Sequence, residues 1–173
     1  TRSNGSASNE IEISDPSAMS YTDTPGFGTY TYSIYAVNDM GNGAVSTAAP
    51  IIVKPADWIV MTNGEAIVES GKTYHFYDAA GPNAYYPNTR NDTLTIRPQN
   101  SNGLVHVSFK QFVTDTYGDY LYIFDGADTN APLIGEFTST SVPSALVSLE
   151  STSIDGALTF VFYSDVMSRD EGW

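Results

Sequence analysis

The sequence predicts an all-β sandwich, and three observations carry that expectation. Nearly every segment alternates apolar and polar residues with a period of two, as strands do when one face meets a core and the other meets water. Aromatic residues make up 13% of the chain, with Tyr 12 and Phe 8, and such rings fit a pleated surface better than a helix. Clusters of Gly, Pro, Asn and Asp separate the alternating runs, which marks turns at short intervals, and no run carries a helical stripe.

In chain order, Tyr30–Val37 follows a Pro-Gly turn and sets Tyr30, Tyr32, Ile34 and Ala36 on one face. Ala49–Val53 ends in the β-branched run Ile51-Ile52-Val53, and Lys54-Pro55-Ala56-Asp57 interrupts the pattern, because proline cannot continue a central ladder. The domain boundary is therefore placed there, giving residues 1–55 and 56–173. Trp58–Met61 and Thr73–Tyr77 open the second domain as short aromatic-rich strands. Asp92–Ile96 alternates threonine with leucine and isoleucine, and Leu104–Phe109 alternates valines with His106 and Ser108. Asp119–Phe124, Ala145–Glu150 and Ala157–Tyr163 complete the expected set.

Charge and composition narrow the function. There are 20 acidic against 7 basic residues, a formal net charge of -13, so phosphate backbones are repelled and nucleic acid is excluded as a partner. Divalent cations and basic protein surfaces suit such a chain. Two bases face five acids before residue 56, and five face fifteen after it, so the acidity sits mainly in the second domain. The chain has 0 cysteines, which removes disulfides, thiolate nucleophiles and Cys-bound zinc together. No apolar run reaches membrane-spanning length.

No enzyme constellation stands out. Gly-x-Ser-x-Gly is absent, and His75 and His106 are isolated on expected strands, without the partners of a triad or a zinc site. Asp125–Asn130 begins like an EF-hand loop but lacks its sixth-position glycine and distal glutamate, and so reads as a turn. Asn91-Asp92-Thr93 is a formal glycosylation sequon. Tyr74, Tyr77, Tyr85 and Tyr86 have two readings, an aromatic platform for a sugar or protein, or half-buried strand residues. Asp115 and Asp119, four residues apart ahead of a strand, are turn residues in one reading and half of a metal site in the other.

The region Tyr21–Gly43, with Thr24-Pro-Gly-Phe-Gly-Thr-Tyr30 leading into Tyr32, Ile34 and Ala36, resembles the second half of a fibronectin type III repeat. That resemblance implies a tyrosine corner at Tyr30. It also implies a half-sandwich that would not be stable alone, with residues 1–14 supplying one or two edge strands.

From Trp58 to Trp173, the blocks Phe76–Tyr86, Thr93–Pro98, Val105–Asp115, Gly118–Gly126, Leu133–Phe137, Gly156–Asp165 and Gly172-Trp173 resemble a CUB domain in both order and spacing. The family fold is a jelly-roll-like sandwich of two antiparallel sheets. It would turn Val105, Val107, Phe109, Leu158, Phe160 and Phe162 inward, and His106 and Ser108 outward. The resemblance further implies calcium held by Asp115, Asp119 and Asp165, with backbone carbonyls of Val166–Ser168 completing an oxygen shell. The family commonly has glutamate at the Asp115 position and serine at the Met167 position; Ser168 stands one residue later. The family also continues into one more strand after the Gly-Trp pair.

The function implied is a non-catalytic, calcium-binding interaction module of a secreted or cell-surface protein. Absence of cysteine points to a bacterial one, with the module an appendage of a protease or adhesin. Its partner would be a basic, lysine-bearing protein surface, approached through Tyr117, Asp119, Tyr85 and Tyr86. The alternatives are a carbohydrate-binding module that stacks sugars on Tyr85 and Tyr86, and an architectural spacer for an attached enzyme.

Overall fold

The computed structural model describes residues 1–4 and 7–173. The chain divides into two compact units, Thr1–Ala56 and Asp57–Trp173.

The first unit is built on one strand. β1 (Arg2–Ser3) and β2 (Ser8–Asn9) form a short hairpin, and β3 (Gly28–Ile34) is the long element. β4 (Val37–Asn38) and β5 (Gly41–Asn42) pair across a turn, followed by β6 (Ser46–Thr47) and β7 (Ile51–Val53). β3 pairs with β1, β6 and β7, all antiparallel. Among the described residues of this unit Tyr30 is the buried apolar one, and the Arg2 guanidinium lies over its ring at 5.4 Å. Asp23 fixes that cation at 2.6 Å and accepts a second hydrogen bond from the Tyr32 hydroxyl. Ile34, Val37, Met40, Val45, Ile51 and Ile52 are exposed, so little apolar area is removed from water here.

The second unit holds a true core. Its strands are β8 (Trp58–Val60), β9 (Gly64–Val68), β10 (His75–Tyr77), β11 (Arg90–Pro98), β12 (His106–Val107), β13 (Tyr120–Phe124), β14 (Leu133–Phe137), β15 (Leu149–Glu150) and β16 (Leu158–Ser164). Five of them form one sheet in the order β14-β13-β16-β11-β9, opposed by the pairs β8–β10 and β12–β15. Alternation does its work on β13 and β16: Leu121, Ile123, Leu158, Phe160 and Phe162 are all 0% exposed. Phe76, Phe109, Phe112, Phe162 and Trp173 pack edge-on or stacked with centroids between 5.1 and 6.2 Å, the offset geometry that aromatic quadrupoles favour.

Several expectations change. The sandwich is not wholly antiparallel, since β8 and β10 run parallel, as do β9 and β11. The chain alternates between layers over these four strands, so next-but-one strands return in the same direction. Gly64–Val68 adds an edge strand that is only half-buried on alternate residues, so its signal in the sequence is weak. The first half of the expected Ala145–Glu150 strand is a 3₁₀ turn, Ser144–Leu146, entered from Pro143, because proline fixes φ and withholds a ladder donor. Val105 and Phe109 do turn inward, and His106 is exposed.

One carboxylate is buried at odds with its charge. Asp78 is 0% exposed. Its Oδ1 accepts the Ala80 amide at 2.7 Å, whereas Oδ2 has no partner. Gly172, at φ 71°, lies so close that a Cβ there would fall on Oδ2, so this position needs glycine for both its backbone and its space. Burial pushes the Asp78 carboxyl up to about 7, against hydrogen bonds from Ala80, Trp173 and Gly81 that pull it down. A carboxyl that binds its proton more tightly when folded stabilises the fold at low pH and loses that contribution as pH rises through its folded value.

Two predictions follow from this core. Phe160→Ala should cost about 3–5 kcal/mol in urea unfolding, the usual cost of emptying a buried ring site. Between pH 4 and pH 7 the wild type should lose up to about 4 kcal/mol of stability through Asp78. Asp78→Asn, which keeps the bond to Ala80, should flatten most of that loss in pH-dependent unfolding curves.

Candidate functional site: an aspartate cluster at one end of the sandwich

The site is made where β13 begins and β16 ends. These two strands pair in register Tyr120↔Tyr163 and Leu121↔Phe162, so Asp119, just before one, and Asp165, just after the other, meet at the same edge. The contact is direct: the Asp165 amide donates to Asp119 Oδ1 at 2.8 Å. Asp119 is 0% exposed. Its other oxygen, Oδ2, accepts the Tyr86 hydroxyl at 2.6 Å. The same hydroxyl accepts the Asp115 amide at 2.8 Å, so one tyrosine ties the Asp115–Asp119 loop to its carboxylate. Gly118 makes the close approach possible, since a Cβ there would collide with the Asp165 carboxylate.

Behind the cluster, the turn before β11 is pinned to the end of β16. Ser164 Oγ donates to the Pro87 carbonyl at 2.9 Å and accepts the Arg90 amide at 3.0 Å. Thr89 donates its amide to the Asp165 carbonyl at 2.7 Å and is held at φ 60°, unusual for a β-branched residue. Asn88 donates to the Met167 carbonyl at 2.7 Å, while its own Oδ1 is buried without a partner.

The electrostatics follow from this geometry. Burial pushes the Asp119 carboxyl above its ordinary value, and the charges of Asp165 and Asp115 push the same way; the Tyr86 hydroxyl and Asp165 amide oppose them. Burial likewise raises the Tyr86 phenol, and its bond to Asp119 adds to that. A carboxylate crowded by two others in this way is costly to ionise without a compensating positive charge. Among the described residues, however, no three acidic or imidazole side chains already converge as a metal cluster. Asp115 Oδ1 accepts the Tyr117 amide and Asp165 Oδ1 accepts the Met167 amide, so each outer carboxylate is turned partly towards its own loop.

The sequence-derived residues therefore divide. Asp115, Asp119 and Asp165 share one end of the sandwich, with Met167 and Ser168 on the loop that leaves it. Tyr117 is 92% exposed at the rim and Tyr85 is 54% exposed. Tyr86 corrects the expectation of a binding surface: it is 0% exposed, packed edge-on against Phe162 at 5.0 Å, and acts by positioning Asp119. The missed neighbours are Thr89, Asn88 and Ser164, for which the sequence carries only the turn signal Pro87-Asn88. The EF-hand-like Asp125 is a fastening, bound by Ser151, Thr152 and Ser153. A separate cavity of about 770 Å³ between β10 and β12 includes none of the three aspartates.

Tyr86→Phe removes the donor to a buried carboxylate and should cost ~1–3 kcal/mol. Because that donor favours the charged form, the Asp119 carboxyl should titrate at higher pH in the variant, followed by carbon-detected NMR.

Comparison with known proteins agrees with this architecture. A structure of the CUB1-EGF-CUB2 region of human MASP-1/3 matches at TM-score 0.50 and 16% identity, over 80% of this chain and 45% of that one. The full extracellular region of zebrafish Gpr126/Adgrg6 matches at TM-score 0.47 and 18% identity, over 64% of this chain and 14% of that one. The chain thus spans less than half the length of either. The CUB domain family, whose members are interaction modules of extracellular proteins, matches over residues 66–173. The blocks of the second unit, their order and their sandwich all accord with that match, and the chain belongs to the CUB domain family.

Proposed function

We propose that the second unit is a non-catalytic docking domain of a secreted or cell-surface bacterial protein, organised by calcium at Asp115, Asp119 and Asp165. The observation that carries this reading is the burial of Asp119 between two further acidic residues, with its charge raised in cost by both. An oxygen-only donor set suits calcium, which takes carboxylates, backbone carbonyls and water together. Asp119 would supply the inner carboxylate, Asp115 and Asp165 the outer ones, and the Met167–Ser168 loop its carbonyls. The unpartnered Asn88 Oδ1 beside the Met167 carbonyl adds a further oxygen close to that loop. When bound, the ion would neutralise the cluster and hold the two loops together.

A basic partner follows from the same charges. With a net charge of -13, the chain steers cations towards itself, and a lysine meeting this rim gains charge-assisted hydrogen bonds. Tyr117, 92% exposed beside the cluster, would lie against the aliphatic stem of such a lysine.

Calcium at a hundredfold over its dissociation constant should raise stability by ~2.7 kcal/mol relative to excess chelator, read as a shift in thermal unfolding. Asp115→Ala, at a half-buried loop position, should fold and abolish that shift, as should Asp119→Asn. An equal calcium shift in wild type and both variants would remove the ion from these residues.

A further inference from the structure

We infer that the outer face of the five-stranded sheet binds a neutral glycan chain, through Tyr120, Tyr122 and Tyr163 with Asn91 at its edge. Sheet register carries the inference. β16 pairs with β13 on one side and β11 on the other, which sets Tyr120, Tyr163 and Asn91 in one row across three strands. The next outward row is Glu136, Tyr122, Val161 and Thr93. All of these are the residues left outside when Leu121, Ile123, Phe160 and Phe162 go inside.

The face has the composition of a stacking platform. The Tyr120 and Tyr122 rings lie 6.2 Å apart at 38°, and Tyr163 is 44% exposed across the strand pair. Asn91 is exposed and offers both an amide donor and an acceptor. Beside Tyr163 a cleft of about 240 Å³ opens between the start of β11 and the end of β16, with Arg90, Asn91 and Asp165 along its wall. A pyranose presents an apolar C–H face and a rim of hydroxyls. An aromatic surface edged by the Asn91 amide answers both, and the strands hold these groups in fixed positions. The net charge of -13 repels uronic-acid and sulfated polymers, which leaves neutral chains. This face is also not the Tyr85–Tyr86 platform suggested by the sequence, since Tyr86 lies in the core.

The test is an NMR titration of the isotope-labelled chain with neutral hexasaccharides at millimolar concentration: a β-1,4-glucan, a β-1,4-xylan and a β-1,4-linked N-acetylglucosamine. A polygalacturonate oligomer serves as the charged control. At least one neutral oligomer should shift the amides of Tyr120, Tyr163 and Asn91, and the control should not. Tyr163→Ala should weaken binding by roughly tenfold or more, as loss of one stacked ring does, while Ile154→Ala, on a remote exposed loop, should bind as wild type. If no neutral oligomer shifts these amides, or if Tyr163→Ala binds as wild type, the inference falls. Binding that chelator abolishes and Tyr163→Ala leaves intact would assign the sugar to the aspartates instead, and would equally overturn it.

Discussion

The antiparallel pairing of Leu158–Ser164 with Tyr120–Phe124 fixes the core, the aspartate cluster and the outer tyrosine face at once. With Leu121 opposite Phe162 and Ile123 opposite Phe160, four fully buried side chains meet in one layer. The same register brings the Asp165 amide to Asp119. It also leaves Tyr120, Tyr122 and Tyr163 on the opposite face. A slip of one residue would exchange the faces, putting phenols in the core and phenylalanines in water. The strong hydrophobic term therefore specifies a polar site whose own interactions are too weak to specify it.

The buried and half-buried acids differ in how their charge is met. Asp92 is held by Arg90, with Nε and Nη2 both at 2.6 Å from Oδ2, and Asp125 by a fan of hydroxyl and amide donors. Burial works to raise the Asp125 carboxyl, but hydrogen bonds from Thr152 and Ser151 outweigh it and leave it below its ordinary value. Asp78 and Asp119 lack comparable compensation and are raised. Of these two, Asp119 has the carboxylates of Asp165 and Asp115 acting on it and Asp78 has none. Burial raises the Asp78 carboxyl, whereas at Asp119 the charges of Asp165 and Asp115 add to what burial does. That difference sets the aspartate cluster apart from the other buried carboxyls, and it rests on neighbours rather than on residue type.

The two units show how unevenly a β pattern becomes a core. Tyr30 to Ala36 alternates as cleanly as Tyr120 to Phe124 does, yet on that strand Tyr30 alone is buried, still 8% exposed, and Ile34 is 63% exposed. Alternation says which face of a strand is apolar. It cannot say whether a second layer covers that face, because the covering residues come from elsewhere in the chain.

Much of the second unit was legible in its sequence. Periodicity located most of its strands, and the family resemblance implied Leu158, Phe160 and Phe162 as inward residues, in step with an alternation that is a local property of a strand. The order of blocks brought Asp115, Asp119 and Asp165 under suspicion together. Local patterns could not decide that Tyr86 belongs to the core, since a loop residue has no period and its ring faces wherever the packed layers leave room. Nor could they find the edge strand Gly64–Val68, half-covered and paired parallel to Leu94–Pro98, or relate Asn91 to Tyr163 across 72 residues of chain. Sequence by itself determined which residues prefer a strand and which side of it meets the core. Only the tertiary structure decided which strands are neighbours, because register is fixed by long-range burial summed over whole strands and not by any residue's own preference.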